Sequence, residues 1–258
     1  MSSNGKAQEE SYNRIKSILI SQPKPERSPY FDLEKKYNLQ IDWRPFIQVE
    51  PVTEKEFRKT RIRPDKFSAI IFTAKGAVDH FFRMCEAMRI KMPGDTKYFC
   101  LTEAIANYLQ KFIVYRKRKV FVGKRLISDL KPYFLKHREK EKFLLPCSNL
   151  GSQSVVNFLE EHEIDWQDAM MYRTVSADLS DLEDVSYDVL VFFSPLGIKS
   201  LYENFPKFKQ KKTRFAVYGK TTQKAVLDKG LKINIPAPAP GISSMTMALQ
   251  KYLEKSNK

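Results

Sequence analysis

Cysteine is scarce. Only Cys85, Cys100 and Cys147 occur, an odd number without short spacing, which excludes a disulfide framework and fits a reducing compartment. His80, His137 and His162 lie too far apart to form a local metal motif with any cysteine, so no metal is expected. Nine glycines yield no Gly-x-Gly-x-x-Gly after the first apolar run, which disfavours a dinucleotide site. Gly219-Lys220-Thr221 lacks the first glycine of a Walker loop, six residues before its lysine, and there is no Gly-x-Ser-x-Gly elbow for a nucleophilic serine. Neither pattern calls for a cofactor, and none is expected. Long apolar runs are also missing: Val189 to Phe193 falls far short of a membrane span, and the polar stretch Met1 to Glu10 has no apolar core for a signal peptide. A soluble, cytoplasmic chain that does not engage a membrane is the expectation.

What is present is a chain of 258 residues, 42% apolar and 12% aromatic, enough for one large domain or two small ones with true cores. Its net charge of +15 points to an anionic partner: nucleic acid, headgroups, or a polycarboxylate or phosphate ligand.

The apolar runs alternate with helical stripes. Ser17-Ile18-Leu19-Ile20 reads as a buried strand, Ser28-Pro29 as a helix start with Leu33 and Tyr37 on its apolar face, Asn38 as its left-handed end, and Leu39 to Trp43 as the next strand. The unit recurs. Phe67 to Phe72, Tyr98 to Leu101, Phe143 to Leu145, Val189 to Phe193 and Phe215 to Tyr218 each run into a turn of Ser, Thr or Gly and then a helix. The predicted inner faces are Val78, Phe81, Phe82, Cys85 and Met88, then Ile105, Leu109 and Phe112, then Val155, Val156 and Leu159. Residues 67–78 also pair with residues 187–198 as a soft internal repeat, and Thr102 to Ala106 falls opposite Gly219 to Gln223. Two similar α/β domains explain both observations.

In a parallel α/β sheet, ligands bind beyond the carboxyl ends of the strands, where helix N-termini offer unpaired amides and about half a positive charge. These junctions therefore predict a polyanion site lined by main chain and hydroxyls, shared between the domains. The plainer reading of each Ser or Thr is an N-cap. The basic run Lys111 to Arg125, with aromatics between its cations, reads either as a nucleic-acid patch or as a solvated helix end followed by a strand at Val120 to Val122. The second reading is preferred, and no nucleic-acid partner is expected.

From Lys16 onward the chain resembles the uroporphyrinogen-III synthase family. The matching segments are Phe72 to Val78, Tyr172 to Val175, Phe193 to Gly197, Gly219 to Thr222, and the proline-containing loop Ile235 to Gly241. Their order and spacing carry the resemblance, since no one of them is specific. It implies two doubly wound parallel-sheet α/β domains joined by a two-stranded linker. Residues 16–45 with 176–258 would form a discontinuous first domain, 50–169 a second, and 46–49 with 170–175 the linker. It implies cyclisation of hydroxymethylbilane, a linear tetrapyrrole bearing acetates and propionates, with inversion of the last ring and loss of water. The implied partners are that substrate and the enzyme that forms it, with the chain a monomer.

The resemblance assigns Tyr172 to departure of the substrate hydroxyl, by hydrogen bond or proton donation. As a bare residue it reads equally as a linker aromatic packing between domains. Substrate contacts are implied at Thr73, Lys75 and Thr102 on one side and at Ser194, Gly197, Gly219, Thr221 and Thr222 on the other. Ala74, Thr102 and Ile105 depart from residues common in the family, Ser, Gly and Thr respectively. A non-catalytic basic protein of the same fold, binding nucleic acid or a tetrapyrrole, is the alternative from another class.

Overall fold

Short β-branched and aromatic runs cannot bury themselves alone, and here they line up as the parallel strands of two sheets. The computed structural model describes residues 12–182 and 186–258. The elements begin with β1 (Ser17–Ile20), α1 (Tyr30–Tyr37), β2 (Gln40–Trp43), β3 (Ile47–Pro51) and α2 (Glu54–Lys59). They continue with β4 (Ala69–Phe72), α3 (Lys75–Ala87), β5 (Lys97–Cys100), α4 (Glu103–Leu109), β6 (Val120–Val122), α5 (Lys131–His137), β7 (Phe143–Ser148), α6 (Gln153–Glu161) and β8 (Trp166–Ser176). The last are β9 (Val189–Phe192), α7 (Pro195–Asn204), β10 (Arg214–Tyr218), α8 (Lys220–Asp228), β11 (Ile235–Ala237) and α9 (Met245–Ser256).

The chain divides into two compact units. The first holds the described residues up to Gln48 and from Val175 on, and the second is Val49–Thr174. In the first unit the sheet order is β11-β10-β9-β1-β2, and these neighbours pair in parallel throughout. Local contacts stitch its two chain segments together. The Asp188 carboxylate accepts the amides of Lys16 (2.7 Å) and Ser17 (3.1 Å), and the Asn257 side chain bonds both the amide (2.9 Å) and the carbonyl (2.7 Å) of Ile15. Ile18, Ile20, Val189 and Val191 face α1 and α9, while Leu19, Leu190 and Phe192 face α7 and α8. Apolar side chains on both faces are what a doubly wound parallel sheet requires.

The second unit has the order β3-β8-β7-β4-β5-β6, parallel from β8 to β6. Ile70 and Phe72 pack under α3 and α4, and Ala69 and Ile71 pack with α5 and α6. All four β4 residues are fully buried, as befits a central strand. The edge strand β3 joins β8, with the Val52 amide on the Met171 carbonyl (3.0 Å) and the Ala177 amide on the Phe46 carbonyl (2.9 Å). Residue numbers that run in opposite directions across these bonds are those of an antiparallel pair.

The internal repeat has a structural meaning. The starts of β4 and β9 keep the same offset as the starts of α3 and α7, and Thr102 and Gly219 are the N-caps of α4 and α8. Superposing β4 on β9 matches the sheet orders strand for strand, but the chain enters them at different points. The first unit reads 2-1-3-4-5 in its own strand numbers and the parallel part of the second reads 3-2-1-4-5, the two common doubly wound orders.

Two local expectations differ. Phe112 lies past the end of α4, 39% exposed and stacked on Phe82 (4.7 Å), because the helix ends at Leu109. On α6 the buried face is Val155, Phe158 and Leu159, with Val156 only half-buried. Among the described residues no helix is long and apolar enough to cross a membrane.

Candidate active site

In the second unit, β4 ends at Phe72 and the chain turns through Thr73 and Ala74 into α3. Ala74 is an extended N-cap with no side-chain oxygen to offer, so the first amides of α3 receive no side-chain cap. The space beside Gly76, in the first turn of α3, is open, since a Cβ there would meet nothing within 4 Å. On the neighbouring strand, Thr102 caps α4 with its backbone extended but makes no side-chain cap bond. Thr73 and Thr102 are half-buried and Lys75 is exposed. The Lys75 ammonium lies 5.6 Å from the Tyr108 ring centroid, with Lys111 at 4.4 Å, and the Tyr108 hydroxyl donates to Asp79 (2.8 Å). The result is a cationic margin beside helix starts without side-chain caps.

Tyr172 reaches the same edge from β8. The β7–β8 register runs from Phe143 opposite Trp166 to Cys147 opposite Met170, then shifts so that Ser148 faces Tyr172. This irregularity re-aims the side chain at the end of the ladder, a common use of bulges near functional sites. Burial, aided by Cys147, raises the Tyr172 pKa above its ordinary value, and the neighbouring Ser148 side chain, which favours the charged form, offsets this only in part. The phenol is therefore a proton donor throughout the neutral range. Its ring stacks on His80 of α3, with centroids 4.6 Å apart and planes at 16°. Next to it, Asn149 is locked on Thr174, accepting from its amide (2.8 Å) and donating to its carbonyl (3.2 Å). Cys147 is no nucleophile, because burial pushes its thiol up to about 11.

In the first unit the hydroxyl of Ser194 accepts the Gly197 amide (3.3 Å) as an N-cap of α7. Gly197 is buried, and a Cβ on it would sit 3.1 Å from the Phe192 ring, so this glycine serves close helix-to-strand packing. The polar groups at this junction are spent on the helix. At the next junction Gly219 caps α8 at φ +86°, ψ 143°, without a side chain to occupy the first amides. Its own amide donates to the Ala237 carbonyl (2.7 Å), which also accepts from the Gln223 side chain (3.2 Å). Thr221 is exposed and Thr222 is 1% exposed. Gly219→Ala should destabilise the first unit by about 1–3 kcal/mol, because that φ, ψ pair suits glycine alone. Among the described residues the added methyl would meet only the Thr222 hydroxyl, at 4.0 Å, so the cost is in the backbone, and a thermal melt unchanged from wild type would refute it.

The structure thus brings Thr73, Lys75, Thr102 and Tyr172 to the carboxyl edge of one sheet, and Ser194, Gly197, Gly219, Thr221 and Thr222 to the carboxyl edge of the other. Sequence reasoning missed His80 and Ser148 as neighbours of Tyr172. Ser148 stands at a predicted strand-to-helix junction, which is the signal that could have drawn it in, whereas His80 carries none. Arg173, beside Tyr172, pairs with Glu56, and its Nη1 bond is 3.1 Å. Among the described residues no group of three or more His, Cys, Asp or Glu converges as a metal site.

The chain is similar to known proteins along most of its length. It is 23% identical over 236 residues to the uroporphyrinogen-III synthase of Chlorobaculum parvum, covering 86% of this chain and 92% of that one. The uroporphyrinogen-III synthetase of Helicobacter pylori shares its fold with a TM-score of 0.58 at 19% identity, covering 93% of this chain and 99% of that chain. A mutant uroporphyrinogen III synthase from Thermus thermophilus does so with a TM-score of 0.55 at 16% identity, over the same shares. The family model for uroporphyrinogen-III synthase HemD matches residues 33–247. The chain belongs to the uroporphyrinogen-III synthase family.

Proposed function

We propose that this protein converts hydroxymethylbilane to uroporphyrinogen III and water, a cyclising hydro-lyase of tetrapyrrole biosynthesis, with Tyr172 as the catalytic residue. The observation that carries the assignment is the Tyr172 phenol, half-buried, beside Ser148 and held protonated at the edge where the helix starts α3, α4 and α6 lack side-chain caps. Those amides and the cations Lys75 and Lys111 suit a substrate carrying acetates and propionates on every ring. The Thr73 and Thr102 hydroxyls add donors, and Gly219 and Thr221 offer a second set on the first unit, whereas Thr222, expected among them, is buried within it. Ser194 and Gly197, whose polar groups serve α7, contribute through the shape of the turn.

The chemistry follows from the substrate. Tyr172 donates toward the hydroxymethyl oxygen, the C–O bond breaks with its electron pair leaving on water, and an azafulvene cation remains. The last ring attacks through its substituted carbon, giving a spiro intermediate that cleaves and recloses with that ring inverted. Loss of a ring proton restores neutrality and can return the proton to the phenolate. The pyrroles supply the electrons, so the protein chiefly folds the chain and limits spontaneous closure to the uninverted isomer. It acts in the cytoplasm as a monomer, receiving its labile substrate from the enzyme that makes it.

The alternative, a basic protein that binds nucleic acid, is not favoured by the family match. Within the basic run, Lys119 bonds the Gly94 carbonyl and Lys111 packs on Tyr108, while the Asp129 carboxylate holds the amides of Lys124, Arg125 and Leu126 at 2.8–3.1 Å. The test is turnover of enzymatically generated hydroxymethylbilane with isomers III and I separated. Isomer I alone, at the uncatalysed rate, would refute the proposal, and steeply salt-dependent nucleic-acid binding in its place would favour the alternative.

A further inference from the structure

The imidazole of His80 lies flat on the Tyr172 ring. Parallel rings at this separation cannot exchange an in-plane hydrogen bond, so the contact is one of π faces and leaves the phenol hydroxyl at the ring edge. The Nδ1 atom of His80 is buried with no hydrogen-bond partner among the described residues. Leaving a lone pair unmet is cheaper than burying an unmet N–H, which puts the proton on Nε2 and keeps the ring neutral. Burial and the Arg83 guanidinium lower the His80 pKa, and Asp79 opposes them only in part. Those two carboxylate and guanidinium groups already have other partners. Asp79 accepts from Tyr108 (2.8 Å), and Arg83 donates to the carbonyls of Val52 (2.8 Å) and Met171 (3.3 Å). The second of these carbonyls belongs to the residue just before Tyr172. Two successive turns of α3 therefore grip β8, Arg83 by its backbone and His80 by its aromatic ring.

We propose that His80 is a positioning residue for Tyr172, its neutral ring clamping the phenol in the orientation that delivers the proton to the leaving hydroxyl. The inference rests on the synthase reading above and deepens it. A charged His80 would have no acceptor for its buried Nδ1–H. It would also place a cation beside the site where an azafulvene cation forms, so the clamp works only in the neutral state. The groups that face His80 are Asp79 and Arg83 from its own helix and Tyr172 from β8. Asp79 offsets part of a charge on His80, and burial together with Arg83 outweighs it.

The experiment compares wild type, Tyr172→Phe, His80→Ala and His80→Phe with hydroxymethylbilane as substrate. It is paired with NMR titration of tyrosine labelled at Cζ, the Tyr172 signal being assigned by its loss in Tyr172→Phe. His80→Ala should lower kcat on the order of tenfold with KM little changed, and the Tyr172 titration midpoint should fall toward the ordinary value of about 10 as the ring meets water. His80→Phe keeps a flat ring and should recover kcat to within about threefold of wild type. It should also lack the acid limb that wild type shows as pH drops below the ordinary histidine value of about 6.5. A His80→Ala enzyme with wild-type kcat and an unmoved Tyr172 midpoint would overturn the clamp. A slow Tyr172→Phe beside a fast His80→Ala would sink the clamp alone, whereas a Tyr172→Phe as fast as wild type would sink the phenol's catalytic role and this one with it.

Discussion

Tyr172→Phe should slow formation of isomer III by about tenfold or more, the usual contribution of a positioned general acid, with little change in the thermal midpoint. The substitution removes one oxygen and keeps the ring, so the stack on His80 and the half-burial of the side chain persist. Only the hydroxyl and its proton are lost. Because burial raises the phenol's pKa, the donor stays protonated as pH climbs, and the wild-type rate should show no alkaline decline up to about pH 9. A decline at lower pH would mean that another group supplies the proton. An unchanged rate in Tyr172→Phe would leave ring inversion to substrate folding alone and return Tyr172 to a packing role.

Much of this architecture is legible in the residues. The β4 and β9 runs are continuous apolar stretches because a central parallel strand is covered on both faces, and their repeat announces two related sheets. The left-handed Asn38 closes α1 at φ 50°, ψ 57°, as its short amide side chain permits. What local pattern could not supply is register. Ser148 meets Tyr172 only because the β7–β8 ladder slips by one residue at its end, a non-local event that neither segment encodes by itself. His80 sits on the flank of an amphipathic helix, where a half-buried imidazole looks the same whether it faces solvent or a phenol. The segment holding α5 shows why short helices escape notice. Its seven residues, with Pro132 in the first turn, bury only Phe134, too little for a periodic signal.

The departures from the family pattern also acquire physical content. Ile105 is 5% exposed and belongs to the apolar cluster under α4, so an apolar side chain there fills core volume. Ala74 leaves α3 uncapped, which frees main-chain donors where a serine would compete for them. Thr102, with its hydroxyl unspent on the helix, brings a donor to the adjacent turn. Polar capacity at this edge is thus redistributed toward the backbone.

The largest loss of stability should come from Phe99→Ala, about 3–5 kcal/mol, the range for emptying a buried phenylalanine site. Phe99 is fully buried on β5, with ring centroids of Phe134 at 4.7 Å, Phe121 at 4.8 Å and Phe143 at 5.1 Å. These neighbours come from α5, β6 and β7, so one deletion leaves a void that no single element can collapse to fill. Set against a total of about 5–15 kcal/mol for an ordinary domain, that is a large fraction. The loss should fall on the second unit, because Phe99 packs in a cluster made of that unit's residues alone, while the first unit holds separate clusters of its own. Native-state hydrogen exchange should show the amides of β4, β5 and β7 losing protection while those of β1, β9 and β10 keep theirs. Equal loss in both sets would mean that the two units unfold as one. Since β5 ends two residues before Thr102 and pairs with the strand that leads to Thr73, activity should fall as the second unit opens. Phe99→Leu, which refills most of the void, should recover most of both.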